Sequence, residues 1–322
     1  MPPWLSAFLV QTVAIYTSSF RRKPESRNSR NWLKLLTLLA LSLCQAPGLH
    51  ARDIYRERSL YRDIVVYEEN GLRCMKFGIH NGGRQSCVSQ KEPDVLVFDY
   101  TRMLLGALYL KPNPERILII GLGGGTLPTT LKKIFPESRI DCVEIDASVA
   151  RVANRFFGFA PSESLKVIVE DGRVYVKRAQ RNGAKYDLII LDAFDHVYIP
   201  EHMLTREYLQ EVKALLDDSG ILAANTFSRT KLHASESATY FDVFGRYYNL
   251  EQANRVIFAS NGSLPEMAGI QANAERLEEK LKPFGTGKDW LLPMFSTEVQ
   301  WPPSTRVLTD QYSPANLLNA KP

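Results

Sequence analysis

Five short apolar runs recur along the middle of the chain: RILII (116–120), RIDCVE (139–144), LKVIVE (165–170), YDLIILD (186–192) and GILAANTF (220–227). Helix-like stretches near 126–135, 147–157, 172–182 and 203–216 separate them. Runs this apolar predict strands buried on both faces, and helical crossovers make such strands parallel. The expectation is an α/β fold with a doubly wound, mainly parallel sheet. Beyond Phe227 the pattern predicts a helix over 236–248, a strand over 255–259 and an amphipathic helix over 265–281.

The segment before these runs is built differently. IVVYEENG, LRCMKFGI and QSCVS turn about Gly and Asn, predicting a small N-terminal β segment, and a helix over 98–109 ends in Lys111, Pro112, Asn113 and Pro114. The expected organisation is a leader (1–51), a small β-rich domain with its linking helix (52–112) and a nucleoside-binding domain (113–322).

The net charge of +5 sits wholly in the leader, where Arg21, Arg22, Lys23, Arg27, Arg30 and Lys34 face only Glu25. A neutral body without a basic run gives no reason to expect a nucleic-acid partner. The leader reads as a basic stretch ending at Arg30, an apolar core from Trp32 to Cys44 and a cleavage region ending at Ala51. Its apolar core is short for a membrane span. Leu49 suits cleavage poorly, so export to the periplasm and anchoring by the leader both stay open, with a cytoplasmic body as the alternative. Cys142 falls in a predicted buried strand. Cys74 and Cys87 lie opposite each other in a hairpin register that pairs 79 with 82, leaving a cross-strand disulfide and two packed thiols as alternatives.

Gly121, Gly123 and Gly125 form G-x-G-x-G at the end of the first strand and open a helix, so a ligand can approach bare backbone near a helix N-terminus. Glu144, nineteen residues beyond Gly125 at the end of the second strand, is placed to accept both hydroxyls of a ribose. Thr126 stands where a dinucleotide loop needs its third glycine, which favours a methyltransferase-type site over one for NAD. Asp171 and Gly172 follow the third strand and are expected at an adenine amino group, the alternative for Asp171 being a helix N-cap. Asp192 and Asp195 close the fourth strand, suited to attracting a cationic amine and accepting its proton. Removing that proton at neutral pH costs about 4 to 5 kcal/mol for an amine with a pKa near that of lysine. Tyr198 is a candidate gate for the acceptor. The five histidines have no metal-ligand spacing, so no metal is expected.

On these residues, the chain from about Tyr61 to Leu318 resembles the spermidine synthase (polyamine aminopropyltransferase) family. The motifs that carry the resemblance are a β segment with Gln85, PNPERILIIG (112–121), VEID (143–146), EDGRVYV (170–176), YDLIILDAFD (186–195) and LTDQYSP (308–314). The resemblance implies a class I methyltransferase-like Rossmann fold. It also implies transfer of an aminopropyl group from decarboxylated S-adenosylmethionine to a putrescine-like diamine. Glu144 would bind the ribose, Asp171 the adenine, and Gln85 and Tyr100 the substrate, with Asp192 as base or electrostatic guide and Asp195 helping to hold the amine. The chain departs from the family at four places: Gly124 replaces the loop aspartate, Arg102 the acidic residue after Tyr100, His196 the proline after the catalytic stretch, and Arg62 the glutamine after Tyr61. Methyl transfer from intact S-adenosylmethionine is one alternative, and a non-catalytic exported binding protein on the same fold is another. A homodimer stays open.

Overall fold

In the computed structural model, residues 51–78, 83–194, 199–227 and 230–319 are described. The leader, Asp195, His196 and Tyr198 lie outside them. All described residues belong to one unit, Ala51–Pro322.

Each of the five apolar runs is a strand: β5 (Arg116–Ile120), β6 (Arg139–Glu144), β7 (Leu165–Val169), β8 (Tyr186–Leu191) and β9 (Leu216–Thr226). With β10 (Tyr248–Glu251) and β11 (Arg255–Ser260) they form a seven-stranded sheet in the order β10-β11-β9-β8-β5-β6-β7. The pairings among β5 to β9 are parallel, whereas β10 and β11 run antiparallel. Alternate residues feed opposite layers: Ile117, Ile119, Leu188 and Ile190 pack into one core, and Leu118, Ile120, Ile189 and Leu191 into the other. Both faces are therefore covered by helices, which is why the runs read as continuous apolar stretches rather than alternating ones.

Three expectations need correction. The helix over 98–109 is two pieces, α1 (Asp99–Leu104) and α2 (Ala107–Leu110), because the N–H groups of Leu105 and Gly106 bond three residues back instead of four. The helix near 203–216 starts later, at α6 (Arg206–Leu215), capped by Thr205 and preceded by a 3-10 turn at Glu201–Met203. The helix expected over 236–248 is α7 (Leu232–Phe244), and Tyr248 already belongs to β10. The crossover helices α3 (Thr126–Ile134), α4 (Ala147–Phe156) and α5 (Gly172–Arg181) lie where the pattern put them.

The N-terminal segment is a four-stranded antiparallel sheet in the order β1-β2-β3-β4, with β1 Arg52–Arg58, β2 Asp63–Glu69, β3 Leu72–Phe77 and β4 Arg84–Ser89. Cys74 and Cys87 face each other across β3 and β4 and are joined as a disulfide. Ile64, Val66 and Met75 of this sheet share a core with Val149, Val152 and Phe157. That packing holds β4 over the glycine loop. Strand order reverses between β5 and β8, and at such a switch point the carboxyl ends of parallel strands leave a crevice.

Candidate functional site

The crevice is a cavity of ≈ 310 Å³ lined by glycine-loop, acidic and aromatic residues. Gly121, Gly123, Glu144, Asp171, Gly172, Asp192, Gln85 and Tyr100 all contribute to its walls. Residues more than a hundred positions apart thus meet in one place. Gly125 does not line it; a Cβ there would meet the Phe159 ring at 2.5 Å, and its φ of +70° serves the turn into α3.

The glycine loop is wired to the second strand and to the N-terminal sheet. Gly121 N–H donates to Val143 O at 2.8 Å and Gly124 N–H to Ser86 Oγ at 2.7 Å. Glu144 anchors the loop, because Leu122 N–H donates to its Oε2 at 3.1 Å and Asp146 N–H to its Oε1 at 3.0 Å. Each carboxylate oxygen thus accepts one backbone N–H, and a carboxylate oxygen can accept more than one hydrogen bond. Burial pushes this carboxyl above its ordinary value, with the two backbone donors and the positive charge of Arg62 acting against that.

Asp171 is the N-cap of α5 and also lines the cavity. Its Oδ1 accepts from Arg173 N and Val174 N, each at 3.0 Å, capping α5, while its Oδ2 lies 3.2 Å from His202 Nε2. His202, Pro200 and Met203 form the adjoining wall. Their turn is fastened by Arg173, which donates to His202 O at 3.0 Å, bidentately to Asp310 at 2.7 and 2.8 Å, and to Glu211 at 2.9 and 2.8 Å. Thr205 Oγ1 also donates to Asp310, at 2.7 Å. The LTDQYSP segment therefore supports the cavity through Asp310 and does not line it.

Asp192 sits where β8 ends. Burial pushes its carboxyl up to about 7, against hydrogen bonds from Asn225 and Tyr100. Burial and the neighbouring Asp192 carboxylate in turn push the Tyr100 hydroxyl well above the usual phenol range. A carboxyl poised near neutrality beside a cavity is the condition for taking a proton from an amine.

Arg102 does not enter the cavity. It pairs with Asp99, donates to Gly285 O at 3.3 Å and stacks 4.9 Å from the Trp290 ring centroid. Its positive charge is therefore not placed on the cavity wall. Arg62 does line the cavity, 4.4 Å from the Phe77 ring centroid. At Gly124 a Cβ would lie 2.9 Å from Ser86 Cβ and 3.2 Å from the Phe157 ring, so the neighbours leave no seat for a side chain. Ser86 and Asn225 were invisible to sequence reasoning, since neither belongs to a motif and each acts through a partner brought close only by the fold.

Comparison with known proteins bears on this geometry. Residues 97–258 match the family model described as the spermine/spermidine synthase domain. The chain is 49% identical over 271 residues to a polyamine aminopropyltransferase of Vibrio vulnificus, covering 82% of this chain and 91% of that one. Among solved structures, a probable spermidine synthase from Corynebacterium glutamicum superposes with a TM-score of 0.59 at 19% identity, covering 79% of this chain and 98% of that one. A spermidine synthase in complex with the transition-state analogue AdoDATO gives 0.58 at 22% identity, covering 77% and 85%. These two superpositions bear on the fold, which is the class I methyltransferase-like Rossmann arrangement with an N-terminal antiparallel sheet.

Proposed function

The chain belongs to the spermine/spermidine synthase family, and from that premise we propose that its cavity moves an aminopropyl group from decarboxylated S-adenosylmethionine to a putrescine-like diamine. It is a transferase of the polyamine aminopropyltransferase type. The choice of donor and acceptor, and the residue roles, are what the proposal adds.

One observation carries it: the buried carboxyl of Asp192, held by Tyr100 and Asn225 and poised at about 7, shares a single cavity with Glu144 and its ring of backbone donors. Glu144 would hold the ribose hydroxyls, Asp171 the adenine amino group, and the backbone of Gly121 and Gly123 would let the sulfur lie close. The donor supplies a sulfonium whose adjacent propyl carbon is open to attack. An amine nitrogen forms the new C–N bond there as the C–S bond breaks and the electron pair stays on the neutral thioether. Asp192 accepts the proton that the amine must lose, or stabilises the positive charge that builds up on nitrogen. Gln85 would contact the substrate, and Asp195 and Tyr198, which follow Asp192 in the chain, would complete the acceptor end.

The test is product formation from decarboxylated S-adenosylmethionine and putrescine by the purified protein and by Asp192→Asn. Turnover by the first and a fall of at least about a hundredfold in the second is the expected outcome. Equal turnover by both would refute the role of Asp192. Tighter binding of intact S-adenosylmethionine than of its decarboxylated form, measured by calorimetry, would overturn the donor and favour methyl transfer.

The proposal extends to location. The leader would carry the body out of the cytoplasm or hold it at the membrane, and the Cys74–Cys87 disulfide supports an oxidising compartment. Donors of this kind are made in the cytoplasm, so an exported body would need delivery. A reporter fused after Asp53 that is active only in the cytoplasm would refute export.

A further inference from the structure

Asp192 is held by two side chains, and only Tyr100 lines the cavity. The other, Asn225, is 8% exposed and stands behind the wall. Its Nδ2 donates to Asp192 Oδ1 at 2.9 Å, while its own Oδ1 accepts from Asn254 Nδ2 at 3.1 Å. The order of this chain is fixed by chemistry. A carboxylate only accepts, so the amide must turn its NH₂ to Asp192 and its carbonyl away, and a carbonyl needs a donor, which Asn254 provides.

The fold explains how the three residues line up. Asn225 lies near the end of β9, the neighbour of β8, whose last residue precedes Asp192. Asn254 lies in the turn joining β10 to β11, closed by Gln252 N–H donating to Asn254 O at 2.8 Å. Because β11 runs antiparallel to β9, with Arg255 opposite Thr226, that turn arrives at the same sheet edge as the carboxyl ends of the parallel strands. The reversed hairpin thereby sends a side chain towards the site from behind.

We propose that Asn225 and Asn254 are positioning residues, a neutral amide relay that aims Asp192 and favours its ionised form for the transfer. The proposal rests on the reading of Asp192 as the group that takes the amine's proton. A neutral donor suits that task. A lysine or arginine in place of Asn225 would neutralise the carboxylate and repel a cationic acceptor, whereas an amide supports the anion with one hydrogen bond and leaves its charge to the substrate. Among the described residues, Tyr100 is the titratable group that hydrogen-bonds Asp192, and Asn225 and Asn254 carry no charge of their own. A shift in the protonation of Asp192 on changing either asparagine would thus report the relay itself.

The experiment follows turnover of decarboxylated S-adenosylmethionine and putrescine against pH for the full chain and for Asn225→Ala, Asn254→Ala, Asn254→Asp and Asp192→Asn. Donor affinity is measured by calorimetry alongside. Loss of the Asn225 donor weakens the ionised form, so the acid limb of the Asn225→Ala profile moves up by about one pH unit. Its activity is then about fivefold low at pH 7, approaching tenfold at lower pH, and recovers on the alkaline side, with donor affinity unchanged. Asn254→Ala moves the limb the same way by less. Asn254→Asp moves it further than Asn254→Ala, because the new carboxylate draws the Asn225 NH₂ to itself and turns the carbonyl towards Asp192. A loss that is uniform across pH, or Asn254 variants with wild-type profiles, overturns the relay. Full activity of Asp192→Asn would instead remove the role of Asp192 on which the relay depends. An inactive Asp192→Asn beside unshifted asparagine profiles removes the relay alone.

Discussion

Gly121 and the carbonyl of Asp192 are packed so closely that a Cβ on Gly121 would lie 2.2 Å from that oxygen. The approach is fixed by Asp192 N–H donating to Ile120 O at 2.8 Å, so the start of the glycine loop and the proposed proton acceptor sit on adjoining ladder positions. The first glycine is required by the protein's own backbone as much as by a ligand. Its φ of +101° adds a second reason why only glycine fits.

Gly121→Ala is therefore expected to displace the loop from Asp192 and to lower activity by about a hundredfold or more, since a shift near 1 Å at a reacting centre is worth that much. Steady-state kinetics beside a thermal melt checks this. A folded variant with near-native turnover would contradict it.

Asp192 links pH to both activity and stability. Its folded value of about 7 lies above the ordinary carboxyl value, so activity is expected to rise with pH through that region and level off above it. The same shift makes the native state hold its proton longer than the unfolded chain. Stability contributed by this group is fully present below about pH 4 and is lost as pH rises towards 7, a cost of roughly 2 to 4 kcal/mol. Asp192→Asn should consequently melt higher than the wild type at pH 8 while losing activity. Equal melting temperatures there would show that the carboxyl is not burdened by burial.

Glu144→Gln exchanges one acceptor oxygen for an NH₂ that faces the N–H of Leu122 or of Asp146. Donor affinity should fall by about ten- to a hundredfold, as one charge-assisted hydrogen bond is worth roughly 1.5 to 3 kcal/mol. Calorimetry with the donor measures it, and unchanged affinity would remove the ribose role.

Arg173→Leu leaves Asp310 and Glu211 without the guanidinium that joins them, and frees the turn carrying His202 and Met203. A loss of about 2 to 4 kcal/mol is expected, because breaking a partly buried ion network strands its acidic members. Hydrogen exchange should quicken over residues 199–206; protection as in the wild type would show that the clamp does not hold the wall.

Reducing the Cys74–Cys87 disulfide opens a cross-link between residues 13 apart, expected to cost about 2 to 4 kcal/mol and several degrees of melting temperature. Ser86, adjacent to Cys87, holds Gly124 N–H, so donor affinity should weaken a few-fold as well. Calorimetry with and without reductant, or with Cys74→Ser paired with Cys87→Ser, measures both. Unchanged affinity would separate the hairpin from the loop.

The parallel strands were legible because burial on both faces leaves few polar positions within them, and the helix start at Asp171 was marked by a capping residue. β10 was missed because YNLE is short and follows a helix directly; Asn249 sits in it as a buried partner for the guanidinium of Arg255, with Tyr247 just before the strand. Within the site, Gly121, Glu144, Asp171 and Asp192 fell on motifs at strand ends. Groups that hold those residues in place, Asn225, Asn254, Ser86 and Arg173, depend on contacts between distant segments, which no local pattern encodes. The direction of Arg102 was hidden for the same reason: it is set by Asp99, Gly285 and Trp290, not by its neighbour Tyr100.

The crowding around Gly124 has an evolutionary consequence. Ser86 and Phe157 together occupy the room an acidic loop residue would need, so an aspartate at position 124 would have to displace both. The three positions should behave epistatically, with Gly124→Asp harmful alone and tolerated once both neighbours are made smaller.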